Sequence, residues 1–262
     1  MKIGLIGAEN SHARHFCNAI ITHYIYGADD PAECKKLCEE FDLEECGSEE
    51  ELIAKSGAVV VTYRKGSEHY EPVMKALRAG KPVFNDKPFA CSLSEAQEIA
   101  ALALEKNVPL TGGTSLKGLP GLPAIRESIG PGSTVVISFA ADPASPYDGY
   151  WFYGMHAAEL CLVLCGEDFI DIQAFNNKGV VVSHVAYPDK LCMLVTAPQS
   201  GELKISVTNG GQTTCYALPL HYQDVGPAEF LEMARAGTPP RAYSHYTRAV
   251  DLVGRIVESA GL

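Results

Sequence analysis

The first residues of the chain have the spacing of a turn that binds a dinucleotide. Residues 2–7 (KIGLIG) predict a short strand that ends in a glycine turn. Asp29 follows Gly7 by 22 residues, close to the spacing of about 20 for the acid that binds a dinucleotide ribose. Glu9 and His12 stand where the second and third glycines of G-x-G-x-x-G normally lie. Because the second glycine lets backbone approach a pyrophosphate, Glu9 fits only if its side chain points outward.

Cationic side chains crowd the first turn of the helix that should follow. His12, Arg14 and His15 lie there, although the macrodipole disfavours cations at a helix N-terminus. The placement favours an anion bound at this end, with Asn10 and Ser11 supplying caps or phosphate contacts. The alternative interpretation is a solvated helix face.

The first 112 residues alternate predicted strands with predicted helices. Residues 58–63 (AVVVTY) are a continuous apolar and β-branched run, typical of a strand buried on both faces. Asp30, Ser48 and Ser92 are predicted N-caps, each followed three residues later by glutamate. Strands separated by helices of 10–15 residues indicate βαβ units. We therefore expect an α/β protein whose residues 1–113 form a doubly wound, Rossmann-like dinucleotide-binding domain with a parallel sheet.

The pattern changes after Gly113. One helix is predicted over residues 155–166, and five strand-like stretches then follow one another from residue 169 to residue 220. Turn-rich links such as residues 176–179 (NNKG) join them, which predicts a mainly antiparallel sheet. The end of the chain, from about Gly226, is predicted to be helical. Residues 114–262 are thus expected to form an α+β domain for substrate binding and oligomerisation.

Composition excludes several classes of protein. The net charge of −11 argues against a nucleic-acid partner, and no apolar run reaches the roughly 18 residues of a membrane span. Nine scattered cysteines favour reduced thiols and a cytoplasmic location. Cys34/Cys38 and Cys161/Cys165 are each spaced i, i+4 on one helix face. Without a second ligand pair at zinc spacing, we interpret them as small core residues and expect no metal site.

Three stretches resemble the family of glucose–fructose oxidoreductase, inositol dehydrogenase and MocA (Gfo/Idh/MocA). Residues 76–110 (ALRAGKPVFNDKPFACSLSEAQEIAALALEKNVPL) place Asp86-Lys87-Pro88 where that family has Glu-Lys-Pro. His69, seven residues after Thr62, is similar to the family's histidine after the fourth strand. Residues 153–166 (YGMHAAELCLVLCG) resemble its Gly-x-His-x-x-Asp helix, and residues 249–262 resemble its closing helix.

The resemblance implies a hydride-transfer enzyme with Lys87 and His156 as catalytic residues. A lysine at the C-terminal end of a parallel strand lies where open α/β sheets bind ligands. Its ammonium can hold a substrate hydroxyl and stabilise an alkoxide, and an imidazole can take the hydroxyl proton. The alternatives are a solvated lysine after a strand and a helix-start histidine satisfied by its neighbours. Pro88 is implied to follow a cis bond. The expected coenzyme-binding residues are Gly7, Ala8, Asn10, Ser11, His12, Asp29, Thr62, Tyr63, Arg64, His69, Asp86 and Lys87.

The chain departs from the family near His156. Phe152 stands four residues before it, where the family commonly has an aspartate that orients the histidine. Tyr153 and Glu159 flank His156 at −3 and +3, on the same helix face if the helix has begun by Tyr153. Either is a candidate orienter and both are candidate catalytic residues. The aromatic run of residues 150–153 (YWFY) equally suits simple packing.

These observations favour an NAD(P)-dependent oxidoreductase acting on a sugar- or polyol-like secondary alcohol. Two alternatives stay open: a non-catalytic sensor that retains the fold, and an enzyme using transient oxidation for elimination or glycoside cleavage. Asp29, Asp30 and Glu33 favour NAD over NADP, because they cluster where a 2′-phosphate would lie. Apolar positions at Val181, Val185, Met193 and Val195 favour a dimer or tetramer through the C-terminal sheet.

Overall fold

The computed structural model describes residues 1–198, 202–218, 220 and 222–262. Contacts divide the chain into two units. The first contains Met1–Ser115 and Gln223–Tyr243, and the second contains Leu116–Tyr222 and Ser244–Leu262. The predicted boundary near residue 113 stays a prediction, but Gln223–Tyr243 group with the first unit rather than with the second. No helix among the described residues has both the length and the apolar character needed to span a membrane.

Strands occupy both units, and most are short. In chain order they are β1 Ile3–Ile6, β2 Tyr24–Tyr26, β3 Glu44–Glu45, β4 Ala58–Val61, β5 Val83–Asn85, β6 Leu110–Gly112, β7 Thr134–Ala140, β8 Asp171–Asn177, β9 Val180–Ala186, β10 Leu191–Ala197, β11 Lys204–Asn209 and β12 Gln212–Ala217.

Helices separate the strands of the first unit and flank those of the second. They are α1 Ser11–Ala19, α2 Pro31–Phe41, α3 Glu49–Lys55, α4 Tyr70–Arg78, α5 Leu93–Lys106, α6 Leu122–Glu127, α7 Trp151–Cys165, α8 Val225–Ala236 and α9 Ser244–Ala260. The predicted N-caps of α2, α3 and α5 are confirmed. The side chains of Asp30, Ser48 and Ser92 each accept a hydrogen bond from the backbone amide three residues on.

The first unit contains a six-stranded parallel sheet in the order β3-β2-β1-β4-β5-β6. This is the doubly wound order that the βαβ pattern predicted, so the fold class is confirmed. The chain reverses its direction of winding between β1 and β4. Open α/β sheets bind ligands beyond the carboxyl ends of the strands at such a switch point. Gly7 and Thr62 directly follow those two strands.

Aromatic packing explains why residues 223–243 join the first unit. Phe230 of α8 makes edge-on ring contacts with Phe16 of α1 and Phe84 of β5, each at a centroid distance of 6.2 Å. All three rings are almost fully buried. The hydroxyl of Tyr243 lies 3.2 Å from the amide of Leu110, which donates to it. The sequence pattern predicted a helix here, but it gave no sign of the core that the helix covers.

The second unit contains a mixed six-stranded sheet in the order β12-β11-β7-β10-β9-β8, in which only the β7–β10 pair is parallel. Helices α7 and α9 pack against strands of this sheet. Four apolar residues were predicted to associate with another copy through this sheet. The prediction is wrong for Val181 and Val185, because both are fully buried. Met193 and Val195 pair across β9–β10 with His184 and Val182 on the other, half-buried face. Alternation along β9 and β10 separates the two pairs, since side chains of a strand point to opposite faces in turn.

Candidate coenzyme and catalytic sites

A glycine turn follows β1, and its backbone lies close against the end of β4. Gly7 has φ of +99°, and a Cβ atom there would lie 2.7 Å from the Tyr63 amide nitrogen. Asp29 closes the turn. Its carboxylate accepts hydrogen bonds from the amides of Ala8 and Glu9, at 2.9 Å each. A carboxylate oxygen has more than one acceptor site, so Asp29 can still accept from ribose hydroxyls while it holds the turn.

Gly7→Ala is expected to destabilise the fold by about 3 kcal/mol, because the new methyl group meets backbone and the residue must keep a positive φ. Gly80 is the matched control. It has φ of +70°, but its Cβ position has no atom within 4 Å among the described residues. Gly80→Ala should therefore cost only about 1 kcal/mol. Urea unfolding of both variants measures the difference, and equal costs would contradict the close approach of β1 and β4.

The N-terminus of α1 is joined to the end of β5 by side chains. Asn10 caps the helix by accepting from the His12 amide at 3.1 Å, and its amide nitrogen donates to Asp86 Oδ2 at 3.2 Å. His12 Nδ1 lies 2.7 Å from the same oxygen. The helix end that the sequence assigned to a pyrophosphate thus carries a buried, hydrogen-bonded carboxylate.

The predicted group of cations at this helix end is only partly available to a ligand. Arg14 was expected to face an anion, but its guanidinium pairs with Glu33 at 2.8 Å and with Glu40. The rings of His12 and His15 stack at a centroid distance of 5.4 Å. Burial, and then the nearby His12, lower the pKa of His15. This part of the charge prediction is therefore corrected: carboxylates of α2 hold the Arg14 guanidinium.

Asp86 and Lys87 directly follow β5, and both side chains are buried. Both are 2% exposed, and the Lys87–Pro88 peptide bond is cis, as the resemblance implied. Burial alone would raise the pKa of Asp86, but His12 and Lys87 hold it at about 2. Burial lowers the pKa of Lys87 to about 8, against the opposing effect of the Asp86 carboxylate. Lys87 can therefore gain or lose a proton near neutral pH, as an ordinary surface lysine cannot.

The loop after β4 is fixed by its own side chains. Thr62 Oγ1 donates to the Gly7 carbonyl at 3.1 Å, and the Tyr63 hydroxyl donates to Glu49 at 2.8 Å. His69 is fully buried with Nε2 2.7 Å from the Tyr63 carbonyl oxygen. Burial lowers the pKa of His69, so this ring is neutral and shapes the loop. Two further predicted site residues belong to the same edge: Arg64 lies 3.5 Å from Glu9, and Ser11 begins α1.

An acidic cavity of about 490 Å³ adjoins Asp29 and Tyr63. Glu49, Glu68 and Glu71 also line it, and its one lysine among the described lining residues, Lys75, pairs with Glu49 at 2.9 Å. Because Asp29 stands where the ribose-binding acid was predicted, this cavity has the place and size for the adenosine end of a dinucleotide. The turn and this cavity are therefore the candidate site for the coenzyme.

In the second unit, α7 carries His156 in an aromatic setting. The helix begins at Trp151, so Tyr153 and His156 lie on one face, with ring centroids 5.3 Å apart. Phe139 of β7 meets the imidazole edge-on at 5.5 Å. Phe152, which replaces the family's aspartate, packs on Tyr147 at 5.1 Å. The structure thus brings Tyr153, one of the two candidate orienters, against His156.

Glu159 lies beside a histidine that the sequence did not single out. His245, near the start of α9, places Nε2 3.5 Å from Glu159 Oε2 and Nδ1 3.6 Å from Glu167 Oε1. Glu159 is 1% exposed and His245 is 4% exposed. The two residues are 86 positions apart in the sequence, so no local spacing could have joined them. Glu159 therefore ties α7 to α9.

The two i, i+4 cysteine pairs each meet a third possible ligand. Cys161 and Cys165 of α7 converge with Cys192 of β10, their sulfur atoms lying within 4.8 Å of one another. Cys34 and Cys38 meet Glu45 at the same spacing. The thiols of the first group are buried, so core packing explains them. The expectation that the chain holds no metal stays a prediction.

The parallel sheet and the glycine turn after β1 are typical of a dinucleotide-binding unit, and comparison with known proteins agrees. The model of the family described as "Oxidoreductase family, NAD-binding Rossmann fold", Gfo/Idh/MocA, matches residues 1–114. The match covers a part of the chain in which the sequence showed its resemblance to this family.

Curated relatives match a part of the chain. An uncharacterised oxidoreductase of Streptococcus pneumoniae is 30% identical over 104 residues, which are 39% of this chain and 28% of that protein. The putative oxidoreductase YceM of Salmonella typhimurium is 28% identical over 127 residues, 47% of this chain and 41% of that protein. The matched segments thus span less than half of these relatives.

Solved structures share the fold along the whole chain. A probable dehydrogenase from Thermotoga maritima has a TM-score of 0.82 at 17% identity, covering 100% of this chain and 97% of that one. A putative myo-inositol dehydrogenase from Sinorhizobium meliloti has a TM-score of 0.83 at 17% identity, with the same coverage. At these identities the likeness establishes the fold alone.

Proposed function

We propose that the protein is an NAD-dependent oxidoreductase that acts on a secondary hydroxyl of a sugar- or polyol-like molecule. The observation that carries the proposal is the buried Asp86–Lys87 pair at the carboxyl end of β5, within a unit of an NAD-binding oxidoreductase family. A bound nicotinamide would take a hydride from the carbinol carbon. The residues of this chain would bind the alcohol, hold its oxygen and remove its proton.

Lys87 has the role of an electrostatic stabiliser in this proposal. Its ammonium donates to the substrate oxygen and stabilises the negative charge that develops there as the C–H bond breaks. Asp86 keeps that ammonium protonated to a higher pH than burial alone would allow. The Asp86 carboxylate is itself fixed by Asn10 and His12, so the position of Lys87 depends on the same helix end that would hold the coenzyme.

His156 has the role of the general base. Its imidazole accepts the hydroxyl proton as the carbonyl forms, and returns it in the reverse reaction. Tyr153 packs against the ring and is the proposed orienter of His156, with Phe152 in the place of the family's aspartate. Glu159 is proposed to act at a distance from the reaction, through its contact with His245.

The experiment that tests this function is a screen of polyols and sugars with NAD, followed by absorbance at 340 nm and by product analysis. Net NADH formation with at least one secondary alcohol is expected. Products of elimination or glycoside cleavage without NADH accumulation would instead identify transient oxidation. Binding of sugar with no binding of NAD or NADH would identify a sensor and overturn the proposal.

NAD is expected to bind at least about tenfold more tightly than NADP. A 2′-phosphate would lie near Asp29 and the acidic cavity formed with Glu49, Glu68 and Glu71, where like charges repel it. Calorimetric titration with each coenzyme measures the ratio of the Kd for NADP to the Kd for NAD. Asp29→Asn should narrow it, whereas Asp42→Asn, a change at the exposed end of α2, should leave it unchanged. Tighter binding of NADP would contradict the assignment of this cavity.

Self-association through the open face of the second sheet is also proposed. Met193, Val195 and Val182 lie on that face, and Phe175 of β8 is 69% exposed. An apolar face of this kind is commonly covered by a second copy of the chain. Light scattering at micromolar concentration is expected to show a dimer or tetramer, and a monomer would count against the proposal.

A further inference from the structure

A cavity of about 470 Å³ lies in the second unit, where β7 leads into α7. Its volume suits a ligand of small-molecule size. Asp142 and five aromatic side chains line it: Phe139, Tyr147, Phe152, Tyr153 and Tyr222. The proposed function leaves open which sugar- or polyol-like substrate this cavity selects.

The aromatic side chains form a continuous wall that reaches the proposed general base. Tyr147 packs on Phe152, and Phe152 meets Tyr153 edge-on at a centroid distance of 4.7 Å. Tyr153 in turn contacts His156 and is still 39% exposed. Because Phe152 and His156 pack against the Tyr153 ring while part of it stays exposed, this ring is suited to contact the flat face of a ligand. A substrate seated against Tyr153 would lie next to the imidazole.

The charge of this region has one sign. Between Arg126 and Lys178 the sequence contains no lysine and no arginine, and ten of the thirteen described lining residues lie within that interval. The other three, Pro198, Leu220 and Tyr222, are uncharged. Asp142 is the one carboxylate among the described lining residues. Its Oδ1 accepts from the Ala144 amide at 2.9 Å, which fixes the carboxylate at the cavity wall. An anionic substituent would be repelled here, and a cationic one would be attracted.

We propose that the cavity selects a cyclic polyol bearing an ammonium group, the class of amino sugars and aminocyclitols. The apolar C–H face of such a ring would pack on Tyr153 and Phe152. Its ammonium would pair with Asp142 and lie over the faces of Tyr147 or Tyr222, since aromatic rings attract cations. This inference rests on the proposed function, and it makes Asp142 and Tyr153 the specificity-determining residues.

Equilibrium binding to the whole protein, in the presence of NADH, tests the inference. The probes are glucose, its 2-amino, 3-amino and 6-amino deoxy analogues, and glucose 6-phosphate. At least one amino analogue is expected to bind about tenfold or more tightly than glucose, and glucose 6-phosphate to bind more weakly than glucose. Asp142→Asn should abolish the preference, so that the amino analogue binds no more tightly than glucose.

Asp148→Asn is the matched control, because Asp148 lies in the same loop, outside the lining of the cavity, at a φ of +62° that asparagine tolerates. It should leave the preference intact. Equal binding of glucose and all amino analogues, or a preference that survives Asp142→Asn, would overturn the inference. An amino analogue that binds through Asp142 without reducing NAD would instead contradict the proposed function and leave the inference standing.

Discussion

Lys87→Met is expected to lower kcat/KM by about 100-fold to 1000-fold, the usual cost of removing a group that stabilises transition-state charge. Methionine has the length of lysine without its charge, and a buried site tolerates it, so folding should be retained. Lys81→Met is the matched control. Lys81 precedes β5 as Lys87 follows it, and its Nζ donates to the Ser56 carbonyl at 2.7 Å. A Lys87 variant within threefold of the wild-type value would remove Lys87 from the mechanism.

The pH profile gives the same prediction a second readout. Because burial lowers the pKa of Lys87 to about 8, the ammonium is present below that pH and is lost as the pH rises through it. The kcat/KM for alcohol oxidation should therefore fall above about pH 8, well below the ordinary lysine value near 10.4. Lys87→Arg keeps a charge throughout this range. A folded Lys87→Arg enzyme with residual activity should lose this alkaline limb, and retention of the limb would assign it to another group.

His156→Asn is expected to lower kcat/KM by about 100-fold or more, within the usual range for loss of a general base. Asparagine can still donate and accept hydrogen bonds but cannot carry the proton. The acidic limb of the pH profile, where protonation removes the general base, should disappear with it. His184→Asn is a control in the same unit, since His184 is exposed on β9. An acidic limb that persists in His156→Asn would show that another residue takes the proton.

The variant Glu159→Gln tests which of two roles Glu159 has: orienting the His156 imidazole, or stabilising the contact between α7 and α9. The contact with His245 predicts lower stability for this variant, measured by urea unfolding, with the pH profile of kcat/KM unchanged. A shifted acidic limb would show instead that Glu159 orients the imidazole, and Tyr153→Phe would then be expected to have no effect on that limb.

Local features of the fold could be predicted because each depends on neighbours in the sequence. The N-caps at Asp30, Ser48 and Ser92 need only a side chain and an amide three residues on. Likewise, the alternation of short strands and helices was sufficient for the parallel sheet. The glycine turn at Gly7 and the cis bond before Pro88 were found from the motifs that contain them.

The contacts that the sequence did not reveal all join distant elements. Asp86 bonds to His12 and Asn10 across 74 and 76 positions, and Glu159 meets His245 across 86. The error at Val181 and Val185 has a related cause. Period-two alternation assigns residues to two faces of a strand, but which face the helices cover is decided by packing. Arg14 forms ion pairs with Glu33 and Glu40 because α1 and α2 lie side by side. The sequence alone did not show that these helices are neighbours.

The central claim is that a turn without its second and third glycines still binds a nicotinamide dinucleotide. Calorimetric titration of the purified protein with NADH tests it most directly. We predict saturable binding at one site per chain with a Kd of about 100 µM or tighter, in the range usual for such ligands. Gly7→Val should abolish this binding, because the larger side chain meets the Tyr63 backbone. Absence of saturable binding of NADH by the folded wild-type protein up to millimolar concentration would contradict the claim.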